Sequence, residues 1–333
     1  MPPEPDRDEP IELRAATEAD HGAIVELAAA ALGWRAGDPN AELFRWKHLD
    51  NPFGPSPMWV AVDGDRLAGF RALLRWRFDD ARRGEQHAVR AVDTATHPDY
   101  QGRGLFTRLT RHALGELEAE GTDFVFNTPN QQSRPGYLKM GWVDVGRVPV
   151  AVAVRSPASA ARLLRARVPA GKWSLSTEVG DAAPDVLAEG AAVQGLLDSQ
   201  PAPTGLRTQR TTELLRWRYA SGPLQYRVLG RTGRVEGGVA LFRLRQRGAA
   251  LECTLCDVLV PDGDPRLERE LLRAVMRVAR PDYVIRVEAR PFSRPRYVRL
   301  PAQGPRLTWR ALRRTDQPPL ADWDLRLGDI ELF

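Results

Sequence analysis

The sequence predicts an α/β (α+β) fold with two similar domains, each a mixed, mostly antiparallel sheet flanked by helices. Three observations predict it. The stretch from Val92 to Trp142 has the pattern of a strand, a glycine-containing loop, a helix and a second strand. Upstream, Asp63-Gly64 separates two apolar runs, which is typical of a hairpin. Blocks of the first half also recur in the same order in the second half.

The individual elements of the first half follow from apolar periodicity and from turn residues. Thr17 and Asp20 form an S/T-x-x-D/E capping pair at the start of a helix. Apolar residues at helical spacing predict a helix after Gly104: Leu105, Leu109, Leu114 and Leu117. Strands are predicted at residues 58–62, 66–74, 88–96 and 123–127.

Length and composition indicate a soluble globular protein of about two domains. The chain has 333 residues, of which 43% are apolar and 27% charged. Residues 1–10 are polar and proline-rich, so we expect a disordered tail and no secretory signal. No apolar run approaches the roughly 18 residues that a membrane span needs. We therefore expect a cytoplasmic protein that binds no membrane.

Charge and cysteine content argue against nucleic-acid binding and against a metal. The net charge is +5, but the positive charge is almost all arginine and is spread along the chain, so no basic patch is predicted. Cys253 and Cys256 form a lone C-x-x-C inside an apolar run. No second Cys or His pair supplies further ligands, and we predict two core cysteines.

The loop from Gln101 to Phe106 has the features of a diphosphate cradle. Backbone amides that converge at a helix N-terminus attract phosphate, and the helix dipole favours negative charge there. Gly102 and Gly104 have no Cβ and allow that approach, while Arg103 and Arg108 can add charge-assisted contacts.

The residues behind this loop carry a family resemblance. Gln101-x-x-Gly104 after a strand, then a helix, a strand, an Asn and a Tyr four residues before Gly141-Trp142 resembles the GCN5-related N-acetyltransferase (GNAT) superfamily. The resemblance covers Ile11 to about Val154, and Ile11 to Asp20 looks like the family's opening strand and helix start. Phe106 departs from the family pattern, which usually has Gly or Ala there.

The resemblance implies that acetyl-CoA is the cosubstrate and that no metal is used. Asn130 fits a helix cap or turn almost equally well, because it follows Pro129 and precedes a probable helix. The implied cofactor-binding residues are Thr94, Ala95, Thr96, Gln101, Gly102, Arg103, Gly104, Leu105, Phe106, Asn127, Asn130 and Ser133.

By the same resemblance, Tyr137 is the candidate general acid for the departing thiolate, although a packing role or a hydrogen bond to CoA is the alternative. A carboxylate or a chain of waters can act as the base, and the candidate carboxylates are Asp93 and Glu85. Asp257 matches Asp93 in the second half, which also favours a structural aspartate. Some family members with tandem domains use the C-terminal carboxylate instead, and this chain ends at Phe333.

Acceptor recognition is predicted in the aromatic segment after the first helix, because aromatic walls suit a sugar or a flat amine. A core role is favoured for Trp46, since Trp217 repeats it in the second half. The predicted acceptor-binding residues are Trp34, Phe44, His48 and Phe53.

The internal repeat predicts tandem domains with only one active copy. Its blocks include Glu42 to Lys47 with Glu213 to Arg218, and Ser133 to Tyr137 with Ser293 to Tyr297. Where the first copy has the glycine loop, the second has Pro261-Asp262-Gly263-Asp264-Pro265, whose aspartates repel phosphate and whose prolines lack an amide. The predicted division is a tail (1–10), an active domain (11–154), a linker (155–171) and a degenerate domain (172–333) that helps to form the acceptor pocket.

Together these observations predict an acetyl-CoA-dependent N-acetyltransferase that acts by direct attack. The expected acceptor is the amine of a small molecule such as an amino sugar. We expect the protein to be a monomer or a homodimer and to bind no nucleic acid. Two alternatives remain: a non-catalytic acyl-CoA-binding protein and a tRNA-dependent aminoacyl transferase.

Overall fold

The computed structural model describes residues 11–231, 233–287, 297–300 and 302–331. The predicted tail (1–10), the repeat positions 293–296 and the C-terminal Phe333 lie outside the described residues.

The elements up to residue 154 agree with the predicted order, with β3 and β4 longer than expected. They are β1 (Glu12–Ala15), α1 (His21–Ala31), α2 (Asn40–His48), β2 (Met58–Asp63), β3 (Arg66–Asp80), β4 (Gly84–Thr96), α3 (Leu105–Ala119), β5 (Phe124–Asn127), α4 (Arg134–Lys139), β6 (Val143–Arg147) and β7 (Val150–Val154).

The remaining described elements continue the alternation of helices and strands. They are α5 (Pro157–Arg165), β8 (Asp181–Ala182), α6 (Ala183–Leu187), α7 (Gly190–Asp198), β9 (Leu206–Thr208), α8 (Thr212–Tyr219), β10 (Arg227–Gly230), β11 (Val239–Arg247), β12 (Ala250–Leu259), α9 (Pro265–Val278), β13 (Tyr283–Val287), β14 (Tyr297–Leu300), β15 (Arg306–Ala311), β16 (Trp323–Asp324) and α10 (Leu327–Ile330).

The predicted fold class is confirmed, because the described chain forms two mixed sheets flanked by helices. Two compact units contain them. Among the described residues, the first comprises 11–76, 87–144 and 308–317, and the second comprises 77–86, 145–231, 233–287, 297–300, 302–307 and 318–331.

In the first unit, the strand order is β1-β2-β3-β4-β5-β15, with β4 and β5 parallel. Side chains alternate across the sheet, so that Met58 and Val60 pack with α1 and α2 whereas Trp59 and Ala61 pack with α3. The four leucines predicted on one face of α3 are all buried against that second face. The capping pair is also formed, since the amide of Thr17 donates to Asp20 Oδ2 at 2.7 Å.

The second unit contains the sheet β14-β7-β13-β12-β11-β10-β8, in which β12 and β13 are parallel and the other described neighbours are antiparallel. The apolar face of α9 packs on it through Leu271, Leu272 and Val275. The C-terminal end of β3 also belongs to this unit, where Phe78 pairs with Thr208 of β9.

The units differ from the predicted boundaries because each sheet takes a strand from the other half of the sequence. β15 pairs antiparallel with β5, with Ala311 opposite Phe124. β7 pairs antiparallel with β13, with Val154 opposite Tyr283. Residues 145–154, assigned to the first domain by sequence, thus lie in the second unit, and 308–317 lie in the first.

The predicted linker also has structure of its own. It contains α5, whose Ser159 and Arg162 side chains donate to Asp282 Oδ1 within the second unit. A helix that carries a buried serine and an ion pair is part of a packed unit and not a spacer.

Candidate active site

The predicted cradle lies in the first unit, between the end of β4 and the start of α3. Gly102 and Gly104 have φ angles of 78° and 72°, in the left-handed region that glycine favours. Gly104 is the N-cap of α3 and turns the chain into the helix. A Cβ built on either glycine meets nothing within 4 Å, so the space in front of the loop is open.

The backbone donors of this loop have nothing to bind within the described chain. No described residue accepts a hydrogen bond from the amides of Gly102 to Thr107, and the next amide, that of Arg108, donates to the Gly104 carbonyl at 3.0 Å. α3 has 15 residues, so its dipole adds positive potential at the same point. Amides without an acceptor at a helix N-terminus can bind an anion such as a phosphate.

The two arginines of the loop have different positions. The guanidinium of Arg103 lies 4.9 Å from the ring centre of Tyr100 and is exposed, so it can reach an anion in front of the loop. Arg108 instead donates from Nη2 to the carbonyl of Ile11 at 3.1 Å. Gln101, the first residue of the loop, is exposed, and its amide closes the preceding turn by donating to the Pro98 carbonyl.

A gap between two parallel strands begins next to the cradle. The ladder between β4 and β5 ends at the pair Arg90–Phe126, whereas β4 continues to Thr96. Thr94, Ala95 and Thr96 therefore lie beyond the part of β4 that pairs with β5, while β3 lies on the other side of β4. Gly69 of β3 allows the close packing here, because a Cβ on it would lie 3.1 Å from the Ala95 carbonyl oxygen.

Tyr137 is held on α4 by aromatic neighbours and by one hydrogen bond. Its ring is 5.0 Å from that of Trp142 and 5.4 Å from that of Phe106, and only 3% of the residue is exposed. Its hydroxyl accepts a hydrogen bond from Arg71 Nη2 at 2.7 Å. Sequence reasoning missed Arg71, although a single arginine within the apolar run of β3 was a visible signal.

The side chains after β5 serve mainly to build the loop. Thr308 Oγ1 donates to the carboxamide oxygen of Asn127, which is buried. Asn130 Oδ1 accepts from the amides of Gln132 and Ser133 and from the Ser133 hydroxyl, at 2.8–3.0 Å. The structure thus gives Asn130 the turn role that the sequence left open. The side chains of Asn127 and Ser133 already have hydrogen-bond partners within the protein.

Asp93 lies in a buried polar cluster with α2. Its Oδ2 is 2.6 Å from Lys47 Nζ and 2.7 Å from His48 Nε2, and Ser56 Oγ lies 2.9 Å from His48 Nδ1. A carboxylate only accepts, so Nε2 carries the proton and Nδ1 accepts from the serine. Burial lowers the pKa of His48 despite the opposing effect of Asp93, so the imidazole is neutral.

The same cluster makes Asp93 a weak base. Burial acts to raise the pKa of Asp93, but the charge of Lys47 and the hydrogen bonds from His48 and Lys47 outweigh it and hold the pKa well below its ordinary value. The other candidate base, Glu85, belongs to the second unit, where its Oε2 accepts from Gln209 Nε2 at 2.8 Å.

The aromatic residues predicted to bind the acceptor are mostly core residues. Phe44, His48 and Phe53 are buried, and only Trp34 is partly exposed. Phe44 packs between His48 and Phe70, with ring centres 4.4 and 6.3 Å apart. Trp46 is buried too, in agreement with its predicted core role. These rings leave little surface for an acceptor.

In the second unit, the segment that aligns with the cradle is closed. Asp264 caps α9 by accepting from the Arg266 amide at 2.7 Å, and Pro265 has no amide to offer.

Cys253 and Cys256 are buried thiols whose pKa values burial raises. In the described part of the chain, no group of three or more His, Cys, Asp or Glu side chains is placed to hold a metal ion. No helix within it has the length and apolar character to cross a membrane.

Comparisons with known proteins concern the family and the fold. Residues 12–144 match the family model of the acetyltransferase (GNAT) domain. A probable N-acyltransferase from Enterococcus faecalis has a similar structure, with a TM-score of 0.61 and 13% identity, over 92% of this chain and 73% of that one. No curated protein sequence matches this chain.

Two further solved structures are similar over most of this chain. A GCN5-related N-acetyltransferase from Anabaena variabilis has a TM-score of 0.61 and 12% identity, over 91% of this chain and 73% of that one. Eis1 from Mycobacterium abscessus has a TM-score of 0.57 and 15% identity, over 90% and 73%. At these identities the likeness concerns the fold.

Proposed function

We propose that the chain is an acetyl-CoA-dependent N-acetyltransferase that acts on the amine of a small molecule, from the premise that its residues 12–144 match the family model of the acetyltransferase (GNAT) domain. The observation that carries the proposal is the row of amides from Gly102 to Thr107, for which the described chain offers no acceptor. The diphosphate of CoA supplies acceptors of the right charge at the N-terminus of α3.

The proposed binding of the pantetheine arm and the thioester follows from the arrangement of β4 and β5. The stretch of β4 at Thr94 to Thr96, which extends beyond the pairing with β5, offers backbone groups on that side to the amides of the pantetheine arm, in the way that one strand binds another. A backbone amide of this stretch then polarises the thioester carbonyl. Arg103 is free to approach a phosphate from the exposed side of the loop.

Tyr137 is the proposed proton donor. A neutral amine attacks the carbonyl carbon directly, and the departing thiolate needs a proton that a phenol can give. Water carries the proton away from the amine, since Asp93 is held by Lys47 and His48 and is a poor base. Proton removal by water requires no carboxylate at the site.

We also propose that the second unit is a degenerate copy of the first. In the first unit, the amide of His87 donates to Asp123 Oδ2 and the amide of Asp123 to the His87 carbonyl, at 2.8 and 2.7 Å. Leu251 and Asp282 exchange the same two hydrogen bonds at 2.9 and 2.8 Å. In the sequence, Asp123-Phe124-Val125 aligns with Asp282-Tyr283-Val284. The spacing of 164 positions between Asp93 and Asp257 also separates His87 from Leu251.

A second correspondence between the copies supports the duplication. His48, which follows Lys47 on α2, is hydrogen-bonded to Asp93, and Tyr219, which follows Arg218 on α8, donates to Asp257 Oδ2 at 3.3 Å. Both aspartates thus receive a side chain from the same position of the repeated helix. The copy differs at the cradle, where Asp264 already caps α9.

Calorimetric titration of the purified protein with acetyl-CoA tests the proposal. We expect one site per chain, because one copy has the cradle and the other has a capped helix. Thiol release is then followed with a panel of amino sugars, polyamines and arylamines. Binding without turnover across the panel supports a non-catalytic acyl-CoA-binding protein, and the absence of binding contradicts the proposed site.

A further inference from the structure

Arg71 is a buried cation without a buried anion beside it. None of the residue is exposed, and its Nη2 donates to the Tyr137 hydroxyl. Its Nε and Nη1 have no hydrogen-bond partner, and no carboxylate of the described residues pairs with it. Burying a charge in this way is costly, and most buried arginines are paired with an acid.

The surroundings of Arg71 are aromatic and belong to the proposed site. Its Cζ lies 5.5 Å from the ring centre of Phe106 and 5.4 Å from that of Tyr137. Phe106 lies in the first turn of α3, directly after the cradle, and Tyr137 lies on α4. Ring faces stabilise a guanidinium through cation–π attraction, which keeps the charge in place without neutralising it.

The hydrogen bond between Arg71 and Tyr137 has only one possible direction. Every guanidinium nitrogen of a charged arginine donates and none accepts. The Tyr137 oxygen must therefore accept from Nη2, and its own proton points to another acceptor. The bond thus leaves the Tyr137 proton to be donated on the side of the hydroxyl that Arg71 does not occupy.

We propose that Arg71 is a positioning residue that keeps Tyr137 ready to protonate the departing thiolate, an inference that rests on the proposed acetyl transfer. As the amine nitrogen bonds to the carbonyl carbon, the carbon–sulfur bond breaks and the Tyr137 proton moves to the sulfur. The phenolate that remains is the anion that the Arg71 guanidinium lacks at rest. It recovers a proton from water, which has taken one from the acetylated nitrogen.

The test compares Arg71→Met with Arg71→Lys, using acetyl-CoA and the best amine from the panel. Methionine keeps much of the side-chain length without the charge, and lysine keeps the charge without the planar guanidinium group. We expect Arg71→Met to lower kcat about 10- to 100-fold and to leave the KM for acetyl-CoA within about threefold. Arg71→Lys should recover part of kcat, which a purely structural loss would not explain.

Tyr137→Phe and the double variant Arg71→Met/Tyr137→Phe complete a cycle. If Arg71 acts through Tyr137, the double variant is no slower than Tyr137→Phe alone, because the proton donor is already absent. Arg286→Met is the matched control, since Arg286 is also buried but pairs with Glu268 at 2.8 Å in the second unit. It should lose stability and keep kcat.

The possible failures are separable. Unchanged kcat in Arg71→Met, or losses that multiply in the double variant, overturn the role of Arg71 while acetyl transfer stands. If Arg71→Met does not fold, the comparison of Arg71→Lys with its own double variant decides the same question. Failure of the wild-type protein to bind acetyl-CoA contradicts the proposed function itself.

Discussion

Phe106 lies against Gly136 so closely that a Cβ built on Gly136 would be 3.1 Å from the Cε1 atom of the ring. The same ring packs edge-on against Tyr137 at 5.4 Å. Phe106 occupies the position at which the GNAT superfamily, which the sequence resembles, usually has Gly or Ala. The missing side chain at Gly136 makes room for the larger one at Phe106, so the departure in the loop is matched on α4.

This packing predicts that Gly136→Ala destabilises the protein although alanine favours helices. Overpacking against the ring should cost about 1–2 kcal/mol of the free energy of unfolding. In a Phe106→Leu background the same exchange should cost less, because the smaller side chain can yield. Urea unfolding measures both. Gly115→Ala on α3 is the control, since a Cβ there meets nothing within 4 Å and the exchange should stabilise the protein by up to about 1 kcal/mol.

The cradle predicts that Gly104→Asp weakens acetyl-CoA binding by about tenfold or more, which corresponds to about 1.4 kcal/mol. A carboxylate at the N-cap competes for the amides that the diphosphate needs. Gly84→Asp is the matched control, because Gly84 also has a left-handed φ (74°) and open space. Calorimetry should give the wild-type Kd for Gly84→Asp, and equal weakening in both variants would contradict the cradle.

Tyr137→Phe should lower kcat by about 100-fold or more and leave the Kd for acetyl-CoA nearly unchanged, because a general acid acts on the departing thiolate and contributes little to binding. Tyr226→Phe provides a comparison in the second unit, where the Tyr226 hydroxyl likewise accepts from an arginine, Arg218 Nη1, at 2.5 Å. Steady-state rates should separate the two variants. A loss of similar size in both would point to stability and not to proton donation.

The cluster around Asp93 predicts a structural role for that carboxylate. Asp93→Asn should cost about 3 kcal/mol of unfolding free energy, at the low end for buried pairs because 16% of the side chain is exposed. Lys47→Met added to Asp93→Asn should restore part of the loss, since it removes the cation that lost its carboxylate. A fully folded Asp93→Asn variant with kcat reduced a thousandfold would instead identify Asp93 as the base.

His48 predicts a loss of stability in mild acid. Burial lowers its pKa in the folded protein, whereas an unfolded histidine titrates near pH 6.5. Between the two pKa values the unfolded chain binds more protons, so the free energy of unfolding falls as pH drops below about 6.5, by at most about 1.4 kcal/mol per pH unit. Urea titrations from pH 5 to 8 should show a smaller slope in His48→Gln. Equal slopes would contradict a neutral His48.

Local signals accounted for most elements of the first unit and for the loop of the site. The leucines of α3 repeat at helical spacing, and the positive φ angles of Gly102 and Gly104 are a local property of glycine. Asn130 had two open roles, and the structure assigns it to the turn because the amides of Gln132 and Ser133 lie within its reach.

The residues that meet from distant parts of the sequence were less predictable. Arg71 and Tyr137 are 66 positions apart, and His48 and Asp93 are 45 apart. An arginine in an apolar strand has the same sequence pattern whether it meets a carboxylate or a phenol. The aromatic residues after α1 were expected around an acceptor, but the same apolar surface that suits a ligand also packs a core.

By itself, the sequence determined the mixed sheets, the leucine face of α3 and the glycine loop at its start, because backbone conformation and hydrophobic periodicity depend on near neighbours. Only the tertiary structure decided that β15 completes the sheet beside β5 and that β7 lies beside β13, since any strand of suitable polarity can pair with an open edge. It also decided that Arg71 has Tyr137 as its hydrogen-bond partner, because the free energy of a buried charge depends on which groups the whole fold brings around it.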